Sequence, residues 1–405
     1  MKLTSDIPKI TIVSNYINHH QIPLSNALHE RLGDCFSFVQ TERMEQDRVE
    51  MGWGAEVPGI PYLRLYYEDA AGCAACIMDS DIVIFGGVED EAYIQPRLKA
   101  GKPVIRASER LYREGQWKSV SPRGRRKKYE DHTQYADSPV WLLCHGAYVA
   151  SDFAIIKAYP NRKYVWGYFP EVNTYALDDL LARKRGQDAQ GRAQIRILWA
   201  GRFLKLKHPE YAVKAARRLK AEGISFRLDM VGGGEQEDAL KAMVRKYGLS
   251  DEVVFHGFRP PKEVRRFMEE ARLFLFTSDY LEGWGAVLNE AMNSACAVVA
   301  GHGIGAVPFL LKHGKNGLVY RTGHFREFYA QVRQLCLDSA LCERLGASAY
   351  ETMISEWNPR EAADRLYAFC QGIMEGKTVV QAHGPLSPAP LIAPREGYAY
   401  TRRNE

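Results

Sequence analysis

The second half of the chain predicts an α/β fold built on a parallel sheet covered on both faces. From Ile195 onward, short β-branched or aromatic runs alternate with stretches of helical spacing, and strand, helix, strand in that rhythm lays helices across a parallel sheet. The first half repeats the rhythm less clearly, and 405 residues with 46% apolar side chains can bury more than one core. Two α/β domains follow, their sheets expected to face each other across a cleft.

In the first half, "KITIVSNYI", "CFSFVQT", "DIVIFGG", "KPVIRAS" and "VWLLCHG" read as strands. "QIPLSNALHERLG" reads as the first helix and "AAGCAACIMDSD" as a small-residue helix that packs closely. The stretch "GYFPEVNTYALDDLLARKRGQDAQGRAQ" shifts to polar and charged residues, so the inter-domain linker is placed within 170–194. The domains are then 1–178 and 179–357. In the second half the strands are "IRILWAG", "FRLDMVGGG", "EVVFHGF", "ARLFLFTS", "CAVVAGH" and "NGLVY". Between them, "HPEYAVKAARRLKAEG" repeats apolar residues at helical spacing and ends in glycine, while "PKEVRRFMEEA" opens with proline where a first turn tolerates it. A last helix pattern covers 358–376, and the proline-rich tail 377–405 has no period and reads as extended or disordered.

Composition narrows the function. No apolar run reaches the roughly 18 residues of a membrane span, and the N-terminus lacks the charged start and apolar core of a signal peptide. A cytoplasmic location is expected. The eight cysteines mostly sit in apolar stretches, which suits buried thiols, and Cys73-Ala-Ala-Cys76 has no second pair to complete a metal site. The net charge of +5 is mild, but Lys118, Arg123, Arg125, Arg126, Lys127 and Lys128 crowd one segment. That segment, 118–128, reads either as a solvated loop or as a surface for anionic lipid or a phosphate-bearing substrate, with peripheral contact on the inner membrane face as the consequence. A nucleic-acid partner is not expected, since no aromatic interleaving or binding module accompanies the charge.

Ligands of an open parallel sheet bind outside the carboxyl ends of its strands. That rule selects Gly201, Arg202, Lys205 and Lys207 after one strand, Gly232 to Glu235 after the next, and the stretch "YLEGWGAVLNEAMN" after the fourth. Arg202 and Lys207, cations beside glycine loops, suit an anion such as diphosphate; surface charges at a turn would look the same. No G-x-x-x-x-G-K-[ST] occurs, and "VGGGEQ" is no dinucleotide fingerprint. Asp79-Ser80-Asp81 precedes a strand and so lies at the wrong end for the site; no metal is expected. In the helix after Gly285, Val287, Leu288, Ala291, Met292 and Ala295 form the apolar face and Glu290 the polar one. Glu282 and Glu290, with the amides of Gly283, Trp284, Gly285 and Ala286 between them, match a ligand that carries both hydroxyls and an anion, such as a nucleotide sugar.

With "AGRFLKLKHPEYAVKAARRL", "MVGGGEQEDAL", "VVFHGF", "SDYLEGWGAVLNEAMNSACAVVA" and "KNGLVY" in order, the segment from about 195 to 375 resembles the C-terminal domain of family 4 (group 1) glycosyltransferases of GT-B architecture. The resemblance implies two Rossmann-like domains, a nucleotide-sugar donor on the C-terminal one, the acceptor on the N-terminal one, and transfer with retention of anomeric configuration. It implies that Arg202 and Lys207 hold the diphosphate, Glu290 the ribose and Glu282 the transferred sugar, with Gly233 beside them. Gly257 and Phe258 would border the base, and the helix near 358–376 would cross back onto the N-terminal domain. No metal or other cofactor is implied.

The N-terminal half departs from the family. Tyr16, Ile17 and Asn18 stand where two glycines usually follow the first strand, and Ser108, Glu109 and Arg110 occupy the neighbourhood in which many members carry a histidine. His20 and Glu109 become the candidates for the catalytic contact from that half, with His145 behind them. The reading is a retaining, metal-independent hexosyltransferase that moves a sugar from a UDP-sugar or similar donor to a glycan or lipid-linked glycan in cell-surface polysaccharide or capsule assembly. A nucleotide-sugar epimerase of the same fold and a catalytically silent nucleotide- or glycan-binding partner subunit stay open beside it.

Overall fold

The computed structural model describes residues 7–46, 59–186, 194–377 and 379–403. The chain divides into two compact units, Met1–Glu171 with Glu356–Ile392 and Val172–Ser355 with Ala393–Glu405.

The first unit carries seven strands: β1 Ile10–Ser14, β2 Phe36–Gln40, β3 Leu63–Leu65, β4 Ile82–Gly86, β5 Val104–Ser108, β6 Val140–His145 and β7 Lys163–Trp166. They pair in parallel in the order β3-β2-β1-β4-β5-β6-β7. The central strands are apolar on both faces, as helices on both sides of a parallel sheet require: Ile10, Val13, Ile82, Val83, Val104 and Ile105 are fully buried. Both edge strands escaped the sequence pattern. β3 has three residues with an arginine in the middle, and β7 has four, entered through a bend in which Lys157, Tyr159 and Asn161 take positive φ. The helix Pro359–Met374 belongs to this unit and packs against the helix Ile22–Leu32. The tail after it lies along β7: Val165 N donates to Ser387 O at 2.8 Å and Leu386 N to Val165 O at 2.8 Å. A turn of the tail, bridged to β7 at Tyr164 and Pro388, thus covers part of an edge whose unpaired amides would otherwise be open.

The second unit carries β8 Ile195–Ala200, β9 Phe226–Val231, β10 Val253–Gly257, β11 Leu273–Phe276, β12 Ala297–Gly301 and β13 Leu318–Tyr320. Their order is β10-β9-β8-β11-β12-β13, again parallel. The helix Glu210–Ala221 lays Val213, Ala216 and Leu219 on the sheet, where they join Ile197, Trp199 and Leu228 in one core. Part of the stretch expected as linker is packed here. Leu177–Arg183 is a helix with Leu180 fully buried, and the Lys184 ammonium donates to the carbonyls of Met268 and Ala271 at 2.6 and 2.5 Å. Charge suggested a tether, but a leucine face and a lysine with two buried acceptors make a docked helix. Residues 187–193 of that stretch lie outside the described residues. The end of the chain returns as the helix Gly397–Thr401, which rests on the helix Val307–Leu310 and on β13. The periodless tail composition did not announce it.

Candidate functional site

In the second unit the chain leaves β8 toward β9 and β10 on one side and resumes at β11 on the other, so the topological switch point lies between β8 and β11. The loops after these two strands are stitched together there. Thr277 Oγ1 donates to Lys207 O at 2.6 Å, and Asp279 N donates to Leu206 O at 2.9 Å. Neighbouring loops join them: Phe203 N donates to Gly233 O at 2.8 Å, and Gly232 N to Gly257 O at 2.9 Å. The carboxyl ends of β8 to β11 therefore form one continuous rim. Gly232 serves this geometry, since at φ 134° its added Cβ would run into the Gly201 carbonyl. Gly233 is different, because a Cβ there meets only Glu237 Oε2 at 3.4 Å.

On this rim Lys207 Nζ forms an ion pair with Glu282, their side chains only 17% and 13% exposed. The sequence assigned them separate partners, and the structure puts them in contact. An ammonium has three donors, so one can hold the carboxylate while others face an anion. Arg202 is exposed, and its side chain makes no hydrogen bond or ion pair among the described residues. Exposed Phe258 (48%) follows Gly257, which has φ 66° and open space at its Cβ position. The strand end before it is held by His256 Nε2, 2.7 Å from Asp229 Oδ1.

His208, next to Lys207 and in the left-handed region at φ 47°, is a contact that the sequence reading passed over. Its ring sits 3.2 Å from Asp279 and 3.2 Å from Glu210, tying the β8 loop to the β11 loop. Those two hydrogen bonds, Asp279 first, raise its pKa to about 9. A raised histidine pKa stabilises the fold fully below the unfolded value near 6.5 and loses that contribution as pH rises through the folded value. Between pH 6.5 and 9 the wild-type chain should therefore lose about 1 kcal/mol of stability, solvent screening allowed for, that His208→Asn does not lose. Denaturant midpoints at the two pH values check this; parallel pH curves for the two proteins would sink it.

The helix Val287–Asn293 departs from the expected arrangement. Val287, expected in the apolar face, is only half-buried and shares the accessible side with Glu290, while Asn289 is buried. The helix is covered from two sides, by Pro261–Glu270 and by Ser339–Ser355, so its accessible side narrows to Val287 and Glu290. Arg265 Nη1 reaches over to Glu290 O at 3.2 Å and to Asn293 Oδ1 at 2.9 Å. Burial raises the pKa of the Glu290 carboxyl, with the Arg265 charge pulling it back. A desolvated carboxylate of this kind is improved by hydroxyl donors. Trp284 is buried to 1% exposure with its indole N–H on Asn289 Oδ1 at 2.9 Å, so only its backbone can serve a ligand. Gly285 (φ 86°) is required, because a Cβ there would enter the Phe276 ring.

In the first unit the switch point is between β1 and β4. His19 and His20 follow β1, Glu109 follows β5, His145 ends β6 and Tyr168 follows β7. Tyr168 joins the candidates: its hydroxyl donates to Glu109 Oε1 at 3.3 Å, and its ring lies 6.3 Å from that of His20 and 5.2 Å from that of His145. Glu109 is also paired with Arg113, one turn on. It is thus a carboxylate held by two partners rather than a free base. Burial lowers the pKa of His145 and of His19 to about 4, which keeps both rings neutral near pH 7. Tyr168 lies just past a strand too short to recognise, so the rule that found Glu109 had no strand end from which to find it.

Asp79-Ser80-Asp81 sits at the amino end of β4 and is used structurally. Asp81 accepts from Lys9 N at 2.8 Å, while the buried Arg97 donates to the carbonyls of Ser80 and Asp81 at 2.6 Å each. Burial pushes the Cys73 thiol up to about 11, which makes it a poor nucleophile.

Residues 183–352 match the family model described as glycosyl transferases group 1. The amylovoran biosynthesis glycosyltransferase AmsK of Erwinia amylovora is 29% identical over 177 residues, 42% of this chain and 43% of AmsK. The lipopolysaccharide core biosynthesis glycosyltransferase LpsE of Rhizobium meliloti is 28% identical over 171 residues, 42% of this chain and 48% of LpsE. The chain spans less than half the length of these relatives. The crystal structure of Anabaena Alr3699/HepE in complex with UDP and glucose superposes with a TM-score of 0.62 at 15% identity, over 91% of this chain and 99% of that one. The two parallel sheets are thereby those of the GT-B fold.

Proposed function

We propose, from a chain whose residues 183–352 belong to the group 1 glycosyl transferases, that it moves a sugar from a nucleotide-sugar donor to a glycan or lipid-linked glycan during surface polysaccharide or lipopolysaccharide assembly. The observation that carries this reading is the Lys207–Glu282 pair at the β8/β11 switch point. In this reading Lys207 and Arg202 meet the diphosphate, Glu282 accepts from hydroxyls of the transferred sugar, and Glu290 accepts from the ribose. Phe258 stacks on the base beside Gly257, and the amides of Gly283 to Ala286 face the anion. UDP is the favoured carrier because Alr3699/HepE was crystallised with it. The amylovoran and lipopolysaccharide-core biosynthesis roles for which AmsK and LpsE are named favour a glycan acceptor.

The transfer proceeds with retention. The bond from the anomeric carbon to the diphosphate oxygen breaks, and the acceptor oxygen attaches on the same face. The acceptor proton passes to the departing diphosphate, whose negative charge Lys207 and Arg202 offset without a metal. The test is nucleotide release across a panel of nucleotide sugars, with and without glycan acceptor. One donor should be preferred and turnover should need acceptor; isomerised donor formed without acceptor would identify an epimerase instead. Glu290→Gln should raise the donor KM about tenfold with kcat nearly kept, the loss of one charge-assisted contact shared by ground and transition states. An unchanged KM at subsaturating donor would remove Glu290 from the site.

A further inference from the structure

The segment Gln116–Asp131 plays no part in either switch point, yet its surface is distinctive. It forms a short turn, Gln116–Val120, followed by the helix Pro122–Asp131, whose first turn is closed by Ser121 Oγ accepting from Gly124 N. Trp117, Val120 and Tyr129 stand 70%, 74% and 58% exposed along it. On the helix, Pro122, Arg125, Arg126 and Tyr129 fall on one side at 100° per residue, while Gly124, Lys128 and Asp131 fall on the other. Burial agrees, since the first set is exposed and the second partly buried. The outward face therefore presents a tyrosine between two arginines, with a tryptophan and a valine just ahead.

Between residues 114 and 131 six cations face three carboxylates, a net charge of +3. Arg126 and Lys127 are tied to Glu130 and Asp131 at 2.8 and 3.0 Å, but Arg123 and Arg125 are in no ion pair among the described residues. The turn is also fixed from below, where Gln116 Nε2 donates to Asp152 Oδ1 at 2.8 Å and to Ser151 Oγ at 3.1 Å. It is a held projection with its apolar residues turned outward.

We propose that this face docks on an anionic lipid bilayer. A soluble phosphate or an acidic peptide would use the arginines and leave Trp117, Val120 and Tyr129 in water. A bilayer uses both sets, because Trp and Tyr settle at the headgroup level while arginines meet lipid phosphates. Each basic residue near such a surface contributes roughly fivefold to binding. The inference does not depend on which sugar is transferred, and it places the first unit against the surface where a lipid-linked acceptor would lie.

The test is flotation of the full chain with vesicles of phosphatidylcholine alone or mixed with phosphatidylserine. Binding should require phosphatidylserine and weaken with salt. Arg123→Gln with Arg125→Gln should lower it at least tenfold, and Trp117→Ser should lower it severalfold without changing the salt dependence. Circular dichroism and nucleotide release with a water-soluble acceptor should match wild type, separating lost docking from lost folding or lost donor chemistry. Vesicle binding that survives both changes overturns the proposal. So does binding that polyglutamate competes away fully while Trp117→Ser has no effect, since that would make the face a protein contact.

Discussion

Lys207→Ala should lower kcat by about 10²- to 10³-fold at saturating donor, the loss expected when a preorganised charge at the departing group is removed. Two effects combine. In the proposed reading the leaving diphosphate loses an ammonium, and Glu282, only 13% exposed at its side chain, is left carrying an unpaired charge. An uncompensated carboxylate of that kind also repels the diphosphate that the proposed reading puts beside it. Glu282→Gln removes that repulsion, so the double variant Lys207→Ala/Glu282→Gln should be less impaired than the product of the single effects. A coupling of about 1–3 kcal/mol is expected between side chains in contact. Lys207→Arg should recover part of kcat, since the charge returns on a different fork. Strictly multiplicative effects, or full turnover by Lys207→Ala, would dissociate the pair from catalysis.

That pair shows how far the sequence could be read. Both residues follow strands recognisable from β-branched runs, and the carboxyl-end rule selected them without coordinates. Their contact was hidden, because neighbouring loops at a switch point come from strands far apart in sequence, and only strand order places 207 against 282. His208 was hidden for the same reason: its partners Asp279 and Glu210 lie on different elements. The wheel puts Glu290 on the accessible side of its helix, where the structure has it, but it misses that Val287 shares that side and that Asn289 is buried, because this helix is covered from two sides. The core strands were legible since both their faces are apolar; β3 and β7 were not, being three and four residues long at the edges. Family likeness was legible only in the second half, where the matched segment 183–352 lies. In the first unit, Tyr168 became a candidate only through its hydrogen bond to Glu109.

The largest effect on stability is expected from Asp152→Ala. Asp152 is fully buried on the helix Val149–Ile155 and accepts from Arg110 Nε at 3.2 Å, Arg110 Nη2 at 3.3 Å, Tyr112 N at 3.1 Å and Gln116 Nε2 at 2.8 Å. The Arg110 side chain is 2% exposed, so the alanine variant leaves a guanidinium in the interior with no counter-charge. Breaking a buried pair from one side costs about 3–5 kcal/mol, more than the pair contributes, because desolvation of the surviving ion is no longer offset. Arg110→Met with Asp152→Leu removes both charges and should recover more than half of that loss. Recovery stays incomplete, since Tyr112 N loses its acceptor and Gln116 Nε2 keeps only Ser151 Oγ. Denaturant titration followed by tryptophan fluorescence reads both changes, and a shift below about 1 kcal/mol for Asp152→Ala would show that Arg110 finds water instead. The same carboxylate anchors Gln116 beneath the exposed turn that bears Trp117. Asp152→Ala should therefore also speed proteolytic cleavage within 117–131 and weaken vesicle binding, although no lipid-facing side chain has been altered.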